Sequence, residues 1–292
     1  MGFKFCPNCN GKVSDMRNDC PHCGFNMEQQ QKKQKICPDC CESISAERNE
    51  CPICGHYFYE QEEDLFTYKI FDNEVEILSI NDYNATDNIE IPKEYNGYKV
   101  TKIGNGAFDG CTWPKTIFIP DSINEIGEDA FCGCDSLQNV IFENGSQLKK
   151  IGNGAFADCE ALEKIWIPSS VRNIGSGAFA GCCSLAQVIF EDKSQLEKMG
   201  AAAFNCCDEL KEFAIPEKVK IIEEDTFSYC VGLKKIGIPT NIKKIYKCAF
   251  EDCDGLQEIR YAGSEDQWER ILINSIGNYA LEEATIYFNH KE

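Results

Sequence analysis

Between residues 89 and 262 the apolar positions of the chain recur with a fixed period. One copy reads Leu162-Glu163-Lys164-Ile165-Trp166-Ile167-Pro168, then Val171-Arg172-Asn173-Ile174-Gly175, then Ala178-Phe179 and Cys182. The stretch I-G-x-x-A-F-x-x-C returns seven times. Its phenylalanines are Phe108, Phe131, Phe156, Phe179, Phe204, Phe227 and Phe250, each followed three residues later by a cysteine: Cys111, Cys134, Cys159, Cys182, Cys207, Cys230 and Cys253. The steps are 23 or 25 residues. A period of this size marks a solenoid, in which one coil cannot bury its own apolar face and stacks on its neighbours.

Within a coil, the L-x-x-I-x-I spacing predicts a short strand with Ile165 and Ile167 pointing inward, ended by Pro168. Val171 and Ile174 are expected to point inward from the opposite side, and the glycine to permit the turn into Ala178-Phe179. The ladder cysteines are expected to be small core residues. Cys132, Cys183, Cys206 and Cys248 fall at unrelated offsets and predict no second ladder. On the first strand the outward position reads Phe118, Ile141, Trp166, Ile189, Ala214, Gly237 and Arg260 in successive coils. Its four large apolar members either stabilise their own sheet as a cross-strand ladder or bind a partner. On the other side of the coils, Lys102, Lys149, Lys150, Arg172, Lys198, Lys220, Lys243 and Lys244 form a basic stripe. Lysines there can simply blunt a sheet, or they can meet an acidic peptide or anionic surface.

The periodic region needs closing at both ends. Phe66–Phe71 and Val75–Ile80 alternate with period 2 around Asp72-Asn73, which predicts a hairpin over the first coil. Ile89-Glu90-Ile91-Pro92 with Val100–Gly104 reads as an incomplete coil. After Tyr261 the period breaks, and a short helix around Trp268, Ile271 and Leu272 followed by a strand through Ala284–Phe288 is expected to cap the array, with Trp268 in its core. The predicted division is residues 1–28 and 29–60 for two small modules, 61–100 for the N-terminal cap and incomplete coil, 101–262 for the repeats and 263–292 for the C-terminal cap. The fold class expected is mainly β. Glu28–Lys35 and Glu60–Asp64 read as polar linkers.

The charge changes what the solenoid can bind. Residues 1–60 hold 7 Lys and Arg against 8 Asp and Glu, whereas residues 61–292 hold 22 against 40, a net of −18. Nucleic acid along the solenoid is disfavoured, since duplex binding is carried by cations neutralising phosphates. Three histidines, no glycine-rich phosphate loop and no nucleophile elbow argue against an enzyme, and acidic pairs such as Asp252 and Asp254 fall in turns. The N-terminus carries no apolar run of signal-peptide length, and no stretch reaches the ~20 residues of a spanning helix. A cytoplasmic protein is expected.

The first 60 residues carry the candidate chemistry. Cys6, Cys9, Cys20 and Cys23 form one C-x-x-C pair of pairs, and Cys37, Cys40, Cys51 and Cys54 repeat it 31 residues later. Two knuckles of this kind complete a tetrahedral shell of four thiolates, which predicts two closed, structural zinc sites and no open catalytic position. Such short modules draw folding energy from the metal. Disulfide pairing is the alternative, and Cys41, His22 and His56 are possible substitute ligands.

The segment 3–57 resembles the double zinc ribbon, a small interaction module. The periodic region resembles the BspA-type leucine-rich repeat, over about residues 89–262. That resemblance implies a curved solenoid with a parallel sheet on its concave face and a protein-binding role. Trp113-Pro114, Ile222-Glu223 and Ile245-Tyr246 depart from its pattern. Many such relatives are exported to the cell surface. The expected function is therefore a non-enzymatic adaptor that binds a protein or peptide through Phe118, Ile141, Trp166 and Ile189, with a nucleic-acid-associated regulator or a surface adhesion protein as alternatives.

Overall fold

The repeat becomes a β-solenoid because each coil offers two short strands and a turn, and each finds its hydrogen-bond partners only in the next coil. The computed structural model describes residues 3–5, 12–14, 34–36, 43–45, 51–54, 64–81 and 86–289. The chain divides into two units, Met1–Asp64 and Leu65–Glu292. In the first, β1 (Phe3–Phe5) pairs antiparallel with β2 (Lys12–Ser14), and β3 (Gln34–Ile36) pairs antiparallel with β4 (Ser43–Ser45). The second pair repeats the first at the same 31-residue offset as the cysteines.

The second unit opens with the expected hairpin, β5 (Phe66–Phe71) and β6 (Glu74–Ile80), whose turn residues Asp72 and Asn73 take positive φ. β7 (Asn88–Glu90) and β9 (Tyr98–Ile103) build the incomplete coil, and β6 lies parallel to β9, covering it. A small strand, β8 (Glu94–Tyr95), turns back onto β9.

From there every coil contributes to two parallel sheets. The first-strand set is β10 (Thr116–Ile119), β12 (Asn139–Phe142), β14 (Lys164–Ile167), β16 (Gln187–Phe190), β18 (Glu212–Ala214), β20 (Lys235–Ile238) and β22 (Glu258–Tyr261). The second-strand set is β11 (Glu125–Ile126), β13 (Lys150–Ile151), β15 (Asn173–Ile174), β17 (Lys198–Met199), β19 (Ile221–Ile222) and β21 (Lys244–Ile245). Ile165, Ile167, Val171 and Ile174 are buried between them, as the pattern predicts. The third side of each coil is the turn that carries the phenylalanine and the cysteine. There Phe108, Phe131, Phe156, Phe179 and Phe204 stack ring on ring with centroids 4.7, 5.0, 5.4 and 5.3 Å apart.

The cysteines have a specific reason to be cysteine. Each ladder thiol from Cys134 onward donates to the carbonyl of the phenylalanine one coil back: Cys159 to Phe131 at 3.1 Å, Cys182 to Phe156 at 3.1 Å, Cys230 to Phe204 at 3.1 Å. A residue small enough for the core thus satisfies a buried backbone acceptor. Burial pushes the Cys182 and Cys253 thiols well above their ordinary range. For Cys134 the hydrogen bond with Cys159 acts first and burial second, again upward.

The glycine of the I-G step works differently from the expectation. Gly152 and Gly175 do not have positive φ; a Cβ on Gly175 would lie 2.5 Å from the backbone nitrogen of Asn153 in the coil before. This position needs glycine for close backbone approach between coils. The left-handed turn falls two residues later, at Gly154, Gly177, Ala202, Asp225 and Cys248, and again at Asp158, Gly181, Cys206, Tyr229 and Asp252.

Two further corrections concern the ends. α1 is confined to Glu265–Trp268, while Leu272–Ile273 is a strand, β23, parallel to β21. Trp268, Ile271 and Leu272 read as a helix face, but an unsatisfied edge at β21 draws Leu272 and Ile273 into one more turn of the second sheet. A helix not anticipated, α2 (Tyr279–Glu283), precedes β24 (Thr285–Tyr287), which pairs with β22. Trp268 is half-buried and packs edge-on to Tyr261 at 5.2 Å.

Neither sheet is continuous. The first breaks between β16 and β18, and the second between β17 and β19, at the same coil junction. The turn side stays closed there: Phe204 N–H still donates to Thr226 O at 2.9 Å, although the Phe204 and Phe227 rings are 5.8 Å apart. Two residues larger than their equivalents stand at this junction. Phe213 takes the inward place held by Ile165 and Ile236, and sets its ring edge-on to Phe190, Phe204 and Phe227. Glu223 replaces the close-approach glycine. Tyr246 does the same one coil later without breaking the pairing of β19 and β21, so the lost glycine alone does not account for the break.

Candidate functional site

The apolar ladder is built by register. Phe118 stands opposite Ile141, and Trp166 opposite Ile189, each pair being Cα partners in parallel strands; β12 and β14 join the two pairs. Their neighbours along each strand point inward and hold the strand on the core, which leaves these four on the open face. Phe118 is 37% exposed, Ile141 44% and Trp166 51%, while Ile189 is half-buried. The stripe ends where the first sheet breaks, beyond Ile189.

A cleft of about 530 Å³ adjoins the stripe, with Phe118, Ile141, Pro92 and Pro120 as its apolar walls and Glu90, Lys93 and Glu143 at its margin. Lys93 bridges Asp121 at 3.2 Å and Glu143 at 2.7 Å. Its bond to Glu143 holds the Lys93 ammonium above its usual range and the Glu143 carboxyl below the usual carboxylate range. Lys164 and Glu191, two residues along the chain from Trp166 and Ile189, are both exposed. Arg260, further along the row, is turned to Glu258 at 3.3 Å, and Gly237 beside it is buried.

The basic stripe divides into two halves. In the earlier coils three of its four cations are matched by carboxylates, Lys102 with Glu76 at 3.1 Å, Lys150 with Glu125 at 2.9 Å and Arg172 with Glu197 at 3.4 Å, while Lys149 is exposed. Beyond β17 no ion pair holds Lys198, Lys218, Lys220, Lys243 or Lys244 among the described residues. Lys218 donates to Gln195 Oε1 across the broken junction, and Lys244 lies over the Tyr246 ring at 3.8 Å.

Of the predicted metal ligands, Cys6, Cys9, Cys20, Cys23, Cys37 and Cys40 lie outside the described residues. Cys51 is buried and Cys54 exposed, at the two ends of one turn. One group escapes the sequence reading: Asp225, Cys248 and Glu251 bring a sulfur and two carboxylate oxygens within 4.8 Å of one another. Two of the three occupy left-handed turn positions in adjacent coils, a coincidence of register that linear spacing does not display. Burial raises the Cys248 thiol and, with Glu224 and Glu251 nearby, the Asp225 carboxyl. Among the described residues no helix is long and apolar enough to cross a membrane.

Comparison with known proteins follows this geometry. The BspA type leucine rich repeat region matches residues 81–198 and 197–289, in six copies. Curated proteins give no match. Among solved structures, the chain is similar to the T. pallidum leucine rich repeat protein, at 27% identity over 68% of this chain and 91% of that one, with a TM-score of 0.61. It is also similar to the pneumococcal vaccine antigen PcpA, at 20% identity over 68% of this chain and 63% of that one, with a TM-score of 0.54. The second likeness is one of fold.

Proposed function

The chain belongs to the BspA type leucine rich repeat family, and from that membership we propose that it is a non-enzymatic adaptor whose first sheet binds a protein or peptide. The observation that carries this reading is the ladder Phe118, Ile141, Trp166 and Ile189, three of whose side chains face solvent in a row. A ladder serving only its own sheet has no need of a half-exposed tryptophan, whereas tryptophan is enriched at binding hot spots. The net charge of −18 on residues 61–292 speaks against nucleic acid as the partner. In the same reading, Cys6, Cys9, Cys20 and Cys23 hold one structural zinc ion and Cys37, Cys40, Cys51 and Cys54 a second. Eight cysteines in two matching sets, paired with two antiparallel hairpins at the same offset, support it. A cytoplasmic setting belongs to the same reading, and cell fractionation tests it.

The test of the binding face is a pull-down with the full chain, followed by Trp166→Ala. Loss of roughly 2 kcal/mol or more of partner affinity, with a smaller loss of stability than Phe179→Ala gives, is the expected result. Unchanged affinity with a clear stability loss would assign the ladder to the sheet alone.

A further inference from the structure

The broken junction places a cleft beneath the unpaired half of the basic stripe, and the geometry points to a second binding site, for a short acidic peptide segment, at Lys198, Lys218 and Lys220. The cleft has a volume of about 370 Å³ and is lined by Glu197, Lys198, Lys218, Lys220 and Asn241. It opens because β17 and β19 do not pair. At the other junctions the second strand is followed in by regular bonds, such as Arg172 N–H to Lys149 O at 2.9 Å and Gly175 N–H to Ile151 O at 2.9 Å. Among the described residues the equivalent donors here, the N–H groups of Lys220 and Glu223, make no such bond to the coil before, and the carbonyls of Glu197 and Met199 on the opposite lip receive none from it. Backbone donors and acceptors at a strand edge are what an extended peptide uses to dock.

Charge complementarity selects the occupant. In the preceding coils Lys102, Lys150 and Arg172 each meet a carboxylate of the chain, Glu76, Glu125 and Glu197, so most of this face is neutralised from within. From β17 onward the chain supplies none, among the described residues, to Lys198, Lys218 or Lys220, in a protein whose net charge is −19. A partner bringing its own carboxylates completes the pattern. A long polyanion is disfavoured, because neutralising many phosphates takes an extended cationic track, and this cleft offers three lysines.

The experiment uses the full-length chain and a fluorescein-labelled octapeptide of alternating Glu and Asp, read by anisotropy. Binding is expected to weaken as salt is raised. Lys218→Glu with Lys220→Glu should weaken it by about tenfold or more, while Lys99→Glu with Lys149→Glu, an equal charge change elsewhere on the solenoid, should leave it within about twofold. Circular dichroism checks that both double variants fold; if the first does not, Lys218→Gln with Lys220→Gln replaces it. Equal weakening by both pairs, or no binding by the unaltered chain, overturns the site. A thymidine octanucleotide binding as tightly as the peptide, and losing as much with the first pair, overturns the peptide assignment. Because Trp166 lies on the other sheet, Trp166→Ala should leave octapeptide binding intact, so failure here and failure of the first-sheet reading are separable.

Discussion

Gly175 and Cys182 show what individual residues contribute. A methyl group at Gly175 would collide with the backbone of Asn153, and backbone cannot move aside as a flexible side chain would. Gly175→Ala should therefore cost about 1–3 kcal/mol, the usual range for overpacking, measured by urea unfolding. A neutral result would show that the coils can separate locally without loss. For Cys182 the hydrogen bond decides the sign. Cys182→Ala leaves the buried Phe156 carbonyl short of a donor and should cost about 1–3 kcal/mol, whereas Cys182→Ser keeps a donor and should cost less. Cysteine alkylation followed by mass spectrometry gives an independent check. The buried thiols, held above their ordinary range, should stay unmodified in the native chain at mildly alkaline pH, while the half-buried Cys132, Cys183, Cys206 and Cys248 react as pH rises. The small core role of the ladder cysteines was legible from their period. Their bond to a carbonyl one coil away was not, because it depends on register between residues 26 or 28 apart.

The coils extend this logic. Phe179 lies between the Phe156 and Phe204 rings at 5.4 and 5.3 Å, nearly parallel to both. Phe179→Ala should cost roughly 3–5 kcal/mol and lower hydrogen-exchange protection on both sides, from about residue 150 to 210, since each coil leans on its neighbours. The junction between β17 and β19 should already be the weak point of the unaltered chain: the amides of Lys220 and Glu223 should exchange faster than those of Arg172 and Gly175, their equivalents in a closed coil. Equal protection at the two sites would show that the junction is closed in solution. Sequence periodicity revealed the strands, the inward side chains and the hairpin over the first coil. It did not reveal the break: Ile222-Glu223 departs from the pattern, but so does Ile245-Tyr246, where β19 and β21 still pair. It also misassigned Leu272, where an open sheet edge outweighs local helical spacing.

Taken whole, the chain joins two units whose stability has different origins. The solenoid closes its own core, from Phe66 in the N-terminal hairpin to Leu281 in the C-terminal cap, and needs no metal to do so. The first 60 residues have short strand pairs and eight cysteines in ligand spacing, and segments of that size seldom fold on apolar burial alone. If the proposed zinc sites are right, elemental analysis of the purified chain should give two zinc ions per molecule, and replacing Cys6, Cys9, Cys37 and Cys40 by serine should abolish both. A strong chelator should then unfold the N-terminal unit while the far-ultraviolet signal of the solenoid persists, because no ladder cysteine is a ligand. The binding readouts should divide along the same line. Metal-free chain should keep its octapeptide affinity and its Trp166-dependent partner, since both faces belong to the solenoid. Loss of either on chelation would mean that the N-terminal unit takes part in recognition, and zinc close to zero with all eight thiols oxidised would replace the metal with disulfides.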